Sequence, residues 1–336
     1  MAKIAFFEIE PWEKEYFSDR IKGHEFLFFE EKLSEENVNK VRDCDLIVVF
    51  IFSEITRELL DRFFKLKFIV TMSTGFDHID LIACKEMGIT VSNVPFYGEN
   101  TVAEHAMALL LTISRKITQT YDQVLHNDFS LNKLRGFDLK GKTIGVIGTG
   151  HIGMHFIRMA KGFDMNVIAY DPFPKQGADH QLGFTYMGFE DVLRHSDIIS
   201  LHAPYNEYTH HMIHSGNIHF LKKGVVLINT ARGGLIETDA LLKALNKEQI
   251  SFAGLDVLEG EACIKEEKEL ISKDFQSKLC DIKMALEDQI LINHPHVLFT
   301  IHNAFNSEEA LKRILDTTID NVQKFYAGNP INIVNK

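Results

Sequence analysis

Short runs of apolar and β-branched side chains recur along the first hundred residues, at 3–7, 25–29, 46–50, 68–72 and 90–94, and the stretches between them place apolar residues at helical spacing. This alternation predicts parallel strands joined by crossover helices. The rhythm resumes after Lys142, with strands predicted at 144–148, 167–170, 198–202, 225–229, 252–256 and 297–300. The chain therefore reads as α/β, with two open parallel sheets.

Between the two sets, residues 99–116 carry Val102, Ala106, Leu109, Leu110 and Ile113 at helical spacing. Such a stripe belongs in a core, but a helix apolar on more than one face also suits a subunit interface. Residues 266–289 loosen into a charged stretch with scattered Leu, Ile and Met, which reads as an insertion with helical content. Residues 307–326 form an amphipathic pattern, with Leu311, Ile314, Leu315, Ile319, Val322 and Phe325 on one side.

Directly behind the apolar run Thr143-Ile144-Gly145-Val146-Ile147 stands Gly148-Thr149-Gly150-His151-Ile152-Gly153. The first glycine permits a tight turn, the second lets backbone amides approach a pyrophosphate, and the third allows close helix–strand packing. A helix beginning near Ile152 would present its amino end to the diphosphate. Asp171, eighteen residues beyond Gly153, closes the following strand, where a carboxylate accepts hydrogen bonds from a ribose diol. Pro172-Phe173-Pro174-Lys175 follows without an arginine, which favours NAD over NADP. The second sheet is thus Rossmann-like.

At 336 residues, two domains are expected. A formal net charge of −11 argues against nucleic acid or an anionic membrane as partner, so an anionic substrate must be drawn in by local positive charge. No apolar stretch approaches membrane-spanning length, and the start of the chain runs straight into a strand without a signal pattern. Cys44, Cys84, Cys263 and Cys280 match neither a disulfide framework nor a zinc pattern, so no metal is expected and the protein reads as cytoplasmic with reduced thiols.

Candidate chemistry gathers at the predicted strand ends. Arg232 follows the strand ending at Asn229, where a guanidinium can grip a carboxylate with two parallel hydrogen bonds. One strand later, Asp256, Glu259 and Glu261 crowd together; Glu261 is the functional candidate, Asp256 a positioning residue and Glu259 a solvated acid. His302 ends the last strand, whereas His294 and His296 precede it at the far end. The expected coenzyme contacts are Gly148, Gly150, His151, Ile152, Gly153 and Asp171, with His202, Ala203, Pro204, Thr230, Ala231 and Asp256 at the neighbouring strand ends.

These blocks, in order, resemble the NAD-dependent D-2-hydroxyacid dehydrogenase family, and within it the D-lactate dehydrogenase branch, over nearly the whole chain. Carriers of the resemblance are Thr74-Gly75-Phe76-Asp77-His78-Ile79-Asp80, Asn93-Val94-Pro95-Phe96-Tyr97, Thr101-Val102-Ala103-Glu104-His105, the glycine loop, Asn229-Thr230-Ala231-Arg232-Gly233, Leu255-Asp256-Val257 with Glu259-Gly260-Glu261, and His302. The resemblance implies that Arg232 binds the substrate carboxylate and carbonyl, that His302 is the acid/base, and that Glu261 is its partner. It further implies that backbone amides at Thr74 and Gly75 hold the carboxylate and that Tyr97 lines the pocket. A substrate or lid domain of residues 1–100 and 303–336, with the nucleotide domain 101–302 inserted into it, and a homodimer are implied as well. Two departures stand out: Ile301 replaces the family's usual proline before the histidine, and the segment between Glu261 and His302 is long.

The expected activity is NADH-dependent reduction of a small 2-oxo acid, with pyruvate and D-lactate first. Alternatives are a dehydrogenase for branched or aromatic 2-oxo acids and an NAD-sensing, corepressor-like scaffold.

Overall fold

The runs read from the sequence form strands. In a computed structural model describing residues 1–260 and 279–336, the chain divides into two units, Met1–Tyr97 with Asn306–Lys336, and Gly98–Phe305. The first unit holds β1 (Lys3–Phe6), β2 (Glu25–Phe28), β3 (Leu46–Val49), β4 (Phe68–Thr71) and β5 (Thr90–Ser92). They pair in parallel in the order β2-β1-β3-β4-β5. Every residue of β3 and β4 is buried, as continuous apolar strands require when both faces are covered.

One face of this sheet packs Ala5, Phe7, Ile47, Ile69 and Val91 against Leu59, Leu60 and Ala83. The carboxyl-terminal helix, Glu308–Tyr326, starts where the Ser307 hydroxyl accepts the Ala310 amide at 3.2 Å and where Glu308 and Glu309 complement the helix dipole. It buries Ile314, Leu315, Ile319 and Val322, and Phe325 stacks on Phe68 with ring centres 4.1 Å apart.

A polar residue shares that buried face. Asn321 is fully buried; its Nδ2 donates to the Asn93 carbonyl at 2.9 Å and its Oδ1 accepts Asn332 Nδ2 at 2.8 Å. Asn93 in turn donates from Nδ2 to the Thr74 carbonyl at 2.8 Å, so the helix is tied to the loop after β4.

The second unit holds β6 (Thr143–Ile147), β7 (Asn166–Tyr170), β8 (Thr185–Tyr186), β9 (Ile198–Leu201), β10 (Val225–Asn229), β11 (Ile250–Leu255) and β12 (Val297–Phe299). Their parallel order is β12-β11-β10-β9-β6-β7-β8. The chain winds outward from β6 through β7 and β8, then returns to place β9 on the other side of β6. That reversal opens a crevice at the carboxyl ends of β6 and β9. β8 escaped the sequence reading because two edge residues carry no periodic signal.

Helix Glu99–Arg115 buries Ala103, Ala106, Leu109, Leu110 and Ile113 in its own unit, so the core reading holds for that stripe. An exposed apolar surface lies just beyond it. Helix Ile117–Leu125 has no buried residue, and Ile117, Tyr121, Val124, Leu125, Phe129 and Leu131 are exposed. Of the stretch 266–289, the described part belongs to helix Leu279–Ile292, and residues 266–278 lie outside the described residues. Among the described residues no helix is long and apolar enough to cross a membrane.

Replacing Asn321 with leucine strands the buried Asn93 carbonyl and removes the acceptor of the half-buried Asn332 side-chain amide. The expected loss is about 1–3 kcal/mol, read from urea unfolding, and an unchanged midpoint would contradict the buried bridge.

Candidate active site

Gly148 follows β6 with φ +93°, and a Cβ there would lie 2.7 Å from the His202 carbonyl and 2.8 Å from the Ala203 amide nitrogen. Conformation and crowding both exclude a side chain. At Gly153 a Cβ would meet the Gly148 carbonyl oxygen at 2.1 Å, which holds the helix against the turn. Gly150 differs: nothing lies within 4 Å of its Cβ position. It leaves open space at the amino end of the twelve-residue helix His151–Gly162, whose first-turn amides lack helical partners.

Asp171, directly after β7, closes the lip of this loop. Its Oδ2 accepts the Thr149 amide at 2.7 Å and the Thr149 hydroxyl at 3.0 Å, and its Oδ1 accepts the Phe173 amide at 2.9 Å. His151 is exposed, with Nδ1 3.2 Å from Glu99 Oε1, and Ile152 is half-buried.

Across the crevice, the His202 amide donates to the Ile147 carbonyl at 2.7 Å, and Nε2 lies 2.9 Å from the Ser200 hydroxyl. Its ring packs on Phe156, 4.9 Å between centres, and burial pushes its pKa down to about 3. The ring is therefore neutral at ordinary pH and supplies shape, not countercharge. Ala203 is buried and Pro204 exposed beside it. Thr230 follows β10 with a buried hydroxyl that has no hydrogen-bond partner among the described residues. An open glycine, a helix amino end, a fixed carboxylate and a buried unpaired hydroxyl on one sheet edge fit a dinucleotide.

The next three strand ends carry Arg232, Asp256 and His302. Asn229 shapes the first: Oδ1 accepts the Ala231 amide at 3.0 Å and Nδ2 donates to the Arg232 carbonyl at 2.9 Å. Arg232 is half-buried, and its guanidinium donates from Nη1 to the Ala231 carbonyl at 2.9 Å. Gly233 then presses on the following loop, where a Cβ would lie 2.0 Å from the Leu258 carbonyl carbon.

Asp256 follows β11 and has no exposed surface. Its carboxylate accepts the Thr300 hydroxyl, the Asn303 amide at 2.9 Å and the Ala304 amide at 2.9 Å, and His105 Nε2 lies 3.4 Å away. Burial alone would raise its pKa, but the hydrogen bonds from His105, Thr300, Asn303 and Ala304 outweigh burial and hold it below the usual carboxylate range. Asp256 thereby ties the end of β11 to the loop after β12. That loop carries His302 in the left-handed region, φ +51°, with its amide donating to the Asp256 carbonyl at 2.8 Å and the Thr300 carbonyl at 3.0 Å. Ile301, where the resemblance expects proline, is 75% exposed.

Because β10, β11 and β12 are neighbours, Arg232, Asp256 and His302 emerge side by side on one edge. Glu261 lies outside the described residues. Just before it, the Gly260 amide donates to the buried carboxylate of Asp288 at 3.0 Å. Glu259 is not the solvated acid expected: it pairs with His211 Nε2 and accepts the Thr238 hydroxyl at 2.7 Å and amide at 3.2 Å. His105, Asn229, Thr300 and Asp288 were not singled out from the sequence, because their roles depend on what the fold brings to them.

In the first unit, the Thr74 hydroxyl donates to the Val94 carbonyl at 2.9 Å and the Ser73 hydroxyl to the Gly75 carbonyl at 2.6 Å, which braces the loop. Tyr97 is half-buried, and its carbonyl accepts Arg313 Nε at 2.6 Å.

A glycine loop at the switch point of a doubly wound sheet, with an acid closing the next strand, defines a dinucleotide-binding α/β protein. Residues 107–304 match the family model described as D-isomer specific 2-hydroxyacid dehydrogenase, NAD binding domain. The chain is 34% identical to D-lactate dehydrogenase of Escherichia coli strain K12, with 97% of each chain covered. It is 34% identical to glyoxylate reductase of Thermococcus litoralis, with 89% of this chain and 86% of that one covered. The structure of Aquifex aeolicus D-lactate dehydrogenase complexed with NAD and lactic acid superposes with a TM-score of 0.89, at 34% identity and 99% coverage of both chains. The chain belongs to the D-isomer specific 2-hydroxyacid dehydrogenase family, and it is an NAD-dependent enzyme of that class.

The Gly153→Ala substitution forces helix and turn apart at the diphosphate position. Binding of NADH, followed by fluorescence, is expected to weaken by about tenfold or more, a cost of at least ~1.4 kcal/mol; affinity equal to that of the parent would remove the loop from the coenzyme site.

Proposed function

We propose that the enzyme reversibly reduces pyruvate to D-lactate with NADH. The carrying observation is the adjacency of Arg232, Asp256 and His302 on three neighbouring strand ends, and the D-lactate dehydrogenases among its relatives support the choice of substrate. NADH, when bound, supplies the hydride for the 2-carbon. Gly148, Gly150, His151, Ile152 and Gly153 cradle the diphosphate, and Asp171 accepts from the ribose. His202, Ala203, Pro204, Thr230 and Ala231 line the remaining coenzyme crevice.

Arg232 pairs with the substrate carboxylate and polarises the carbonyl, so the substrate lies in one orientation. Backbone amides of Thr74 and Gly75 hold the same carboxylate, and Tyr97 lines the pocket. His302 enters the cycle as the imidazolium and gives its proton to the carbonyl oxygen as the alkoxide develops. Glu261, ionised beside it, favours that charged form. Residues 1–100 with 303–336 act as the substrate domain, and residues 101–302 as the nucleotide domain.

A homodimer formed through the exposed residues Ile117, Tyr121, Val124, Leu125, Phe129 and Leu131 completes the reading, since an apolar surface of this kind marks an interface. The setting is cytoplasmic: Cys44 and Cys84 are free and buried, and burial pushes both thiols up to about 12.

NADH oxidation with a panel of 2-oxo acids, followed by chiral analysis, tests the activity. Pyruvate is expected to give the highest kcat/KM and a D product; no turnover with any member leaves the scaffold alternative. His302→Ala is expected to lower kcat by about 10²–10⁴-fold with NADH affinity retained, and parallel loss of both contradicts its role. Light scattering is expected to report a dimer that Leu125→Asp with Phe129→Asp dissociates; a monomeric parent removes the interface.

A further inference from the structure

The geometry points to His105 as a positioning residue for His302, acting through Thr300 and Asp256. The inference rests on the reading of His302 as the acid–base group. His105 lies on helix Glu99–Arg115, within the block Thr101-Val102-Ala103-Glu104-His105, to which no role attached. Its Nε2 stands 3.0 Å from the Thr300 hydroxyl and 3.4 Å from Asp256 Oδ1.

The proton inventory fixes the direction of these contacts. A threonine hydroxyl has one proton, and that of Thr300 is directed at Asp256. Toward His105 it can only accept, so Nε2 of His105 carries a proton and donates. His105 thus locks the Thr300 rotor onto the buried carboxylate. That carboxylate in turn takes the Asn303 and Ala304 amides, which flank the left-handed backbone of His302 on its far side.

A left-handed residue other than glycine persists only where its surroundings over-determine it. Ile301 supplies little of that determination, since it is largely in solvent and lacks the fixed φ of a proline. Hydrogen bonds that converge at Asp256 hold the loop, and His105 reaches them from a helix packed in the core of the unit. Removing its donor frees the hydroxyl and loosens the carboxylate, so the imidazole of His302 samples orientations away from the substrate oxygen.

His105→Leu is expected to lower kcat for pyruvate by about 10- to 100-fold, the scale of a misplaced catalytic group, with NADH affinity retained. His105→Gln keeps an N–H donor at similar reach and is expected to recover kcat to within about threefold of the parent. His105→Asn falls short of Thr300 and behaves like the leucine variant. Amide resonances of Asn303 and Ala304 are followed in parallel; they shift in the leucine and asparagine variants and return in the glutamine variant. Unchanged kcat in His105→Leu, or equal impairment of His105→Gln and His105→Leu, overturns the role. A parent inactive toward every 2-oxo acid overturns the reading of His302 instead, and the amide resonances then decide: unmoved in His105→Leu, they overturn the hold of His105 on the loop, and moved and restored, they support it.

Discussion

A buried carboxylate organises the sheet edge from which Arg232 and His302 emerge. Asp256 has no exposed surface, and desolvating an isolated carboxylate costs several kcal/mol, so it stays charged only because donors converge on it. Hydrogen bonds to a charged group contribute about 1.5–3 kcal/mol each, whereas one left-handed residue costs about 1–2 kcal/mol. The donors from Thr300, Asn303 and Ala304 therefore offset the strain at His302.

Backbone geometry does comparable work at the coenzyme crevice. Gly148 and Gly153 are excluded from carrying side chains by contacts under 3 Å, while Gly150 is free of neighbours. Two glycines bring strand, turn and helix together, and the third keeps room for a ligand. Asp171 then ties the turn to the next strand through Thr149, so the lip of the crevice is fixed before any coenzyme arrives.

Neither Arg232 nor His302 lies on a regular helix or strand. Arg232 sits in a loop braced by Asn229 and pressed against the backbone at Leu258, and His302 in one braced by Asp256. Both braces stand at the ends of buried strands, where packing holds the side chains that do the bracing. Loops carry these two side chains while the sheet limits their motion.

Local sequence determined the periodicity of eleven strands, the glycine loop and the chemical types at strand ends, because backbone propensity and binary patterning act over a few residues. The two-residue strand Thr185–Tyr186 has too short a pattern, and the stripe on 99–116, which suited a core or an interface, is buried in the core, with an exposed apolar surface one helix later. Pairing decided the rest. That β10, β11 and β12 are neighbours, that Glu259 meets His211 across 48 residues, and that His105 meets Thr300 across 195 depend on which strands hydrogen-bond and which helix covers them. Contacts so distant along the chain leave no local trace; they exist only once burial of the sheet faces has chosen the strand order.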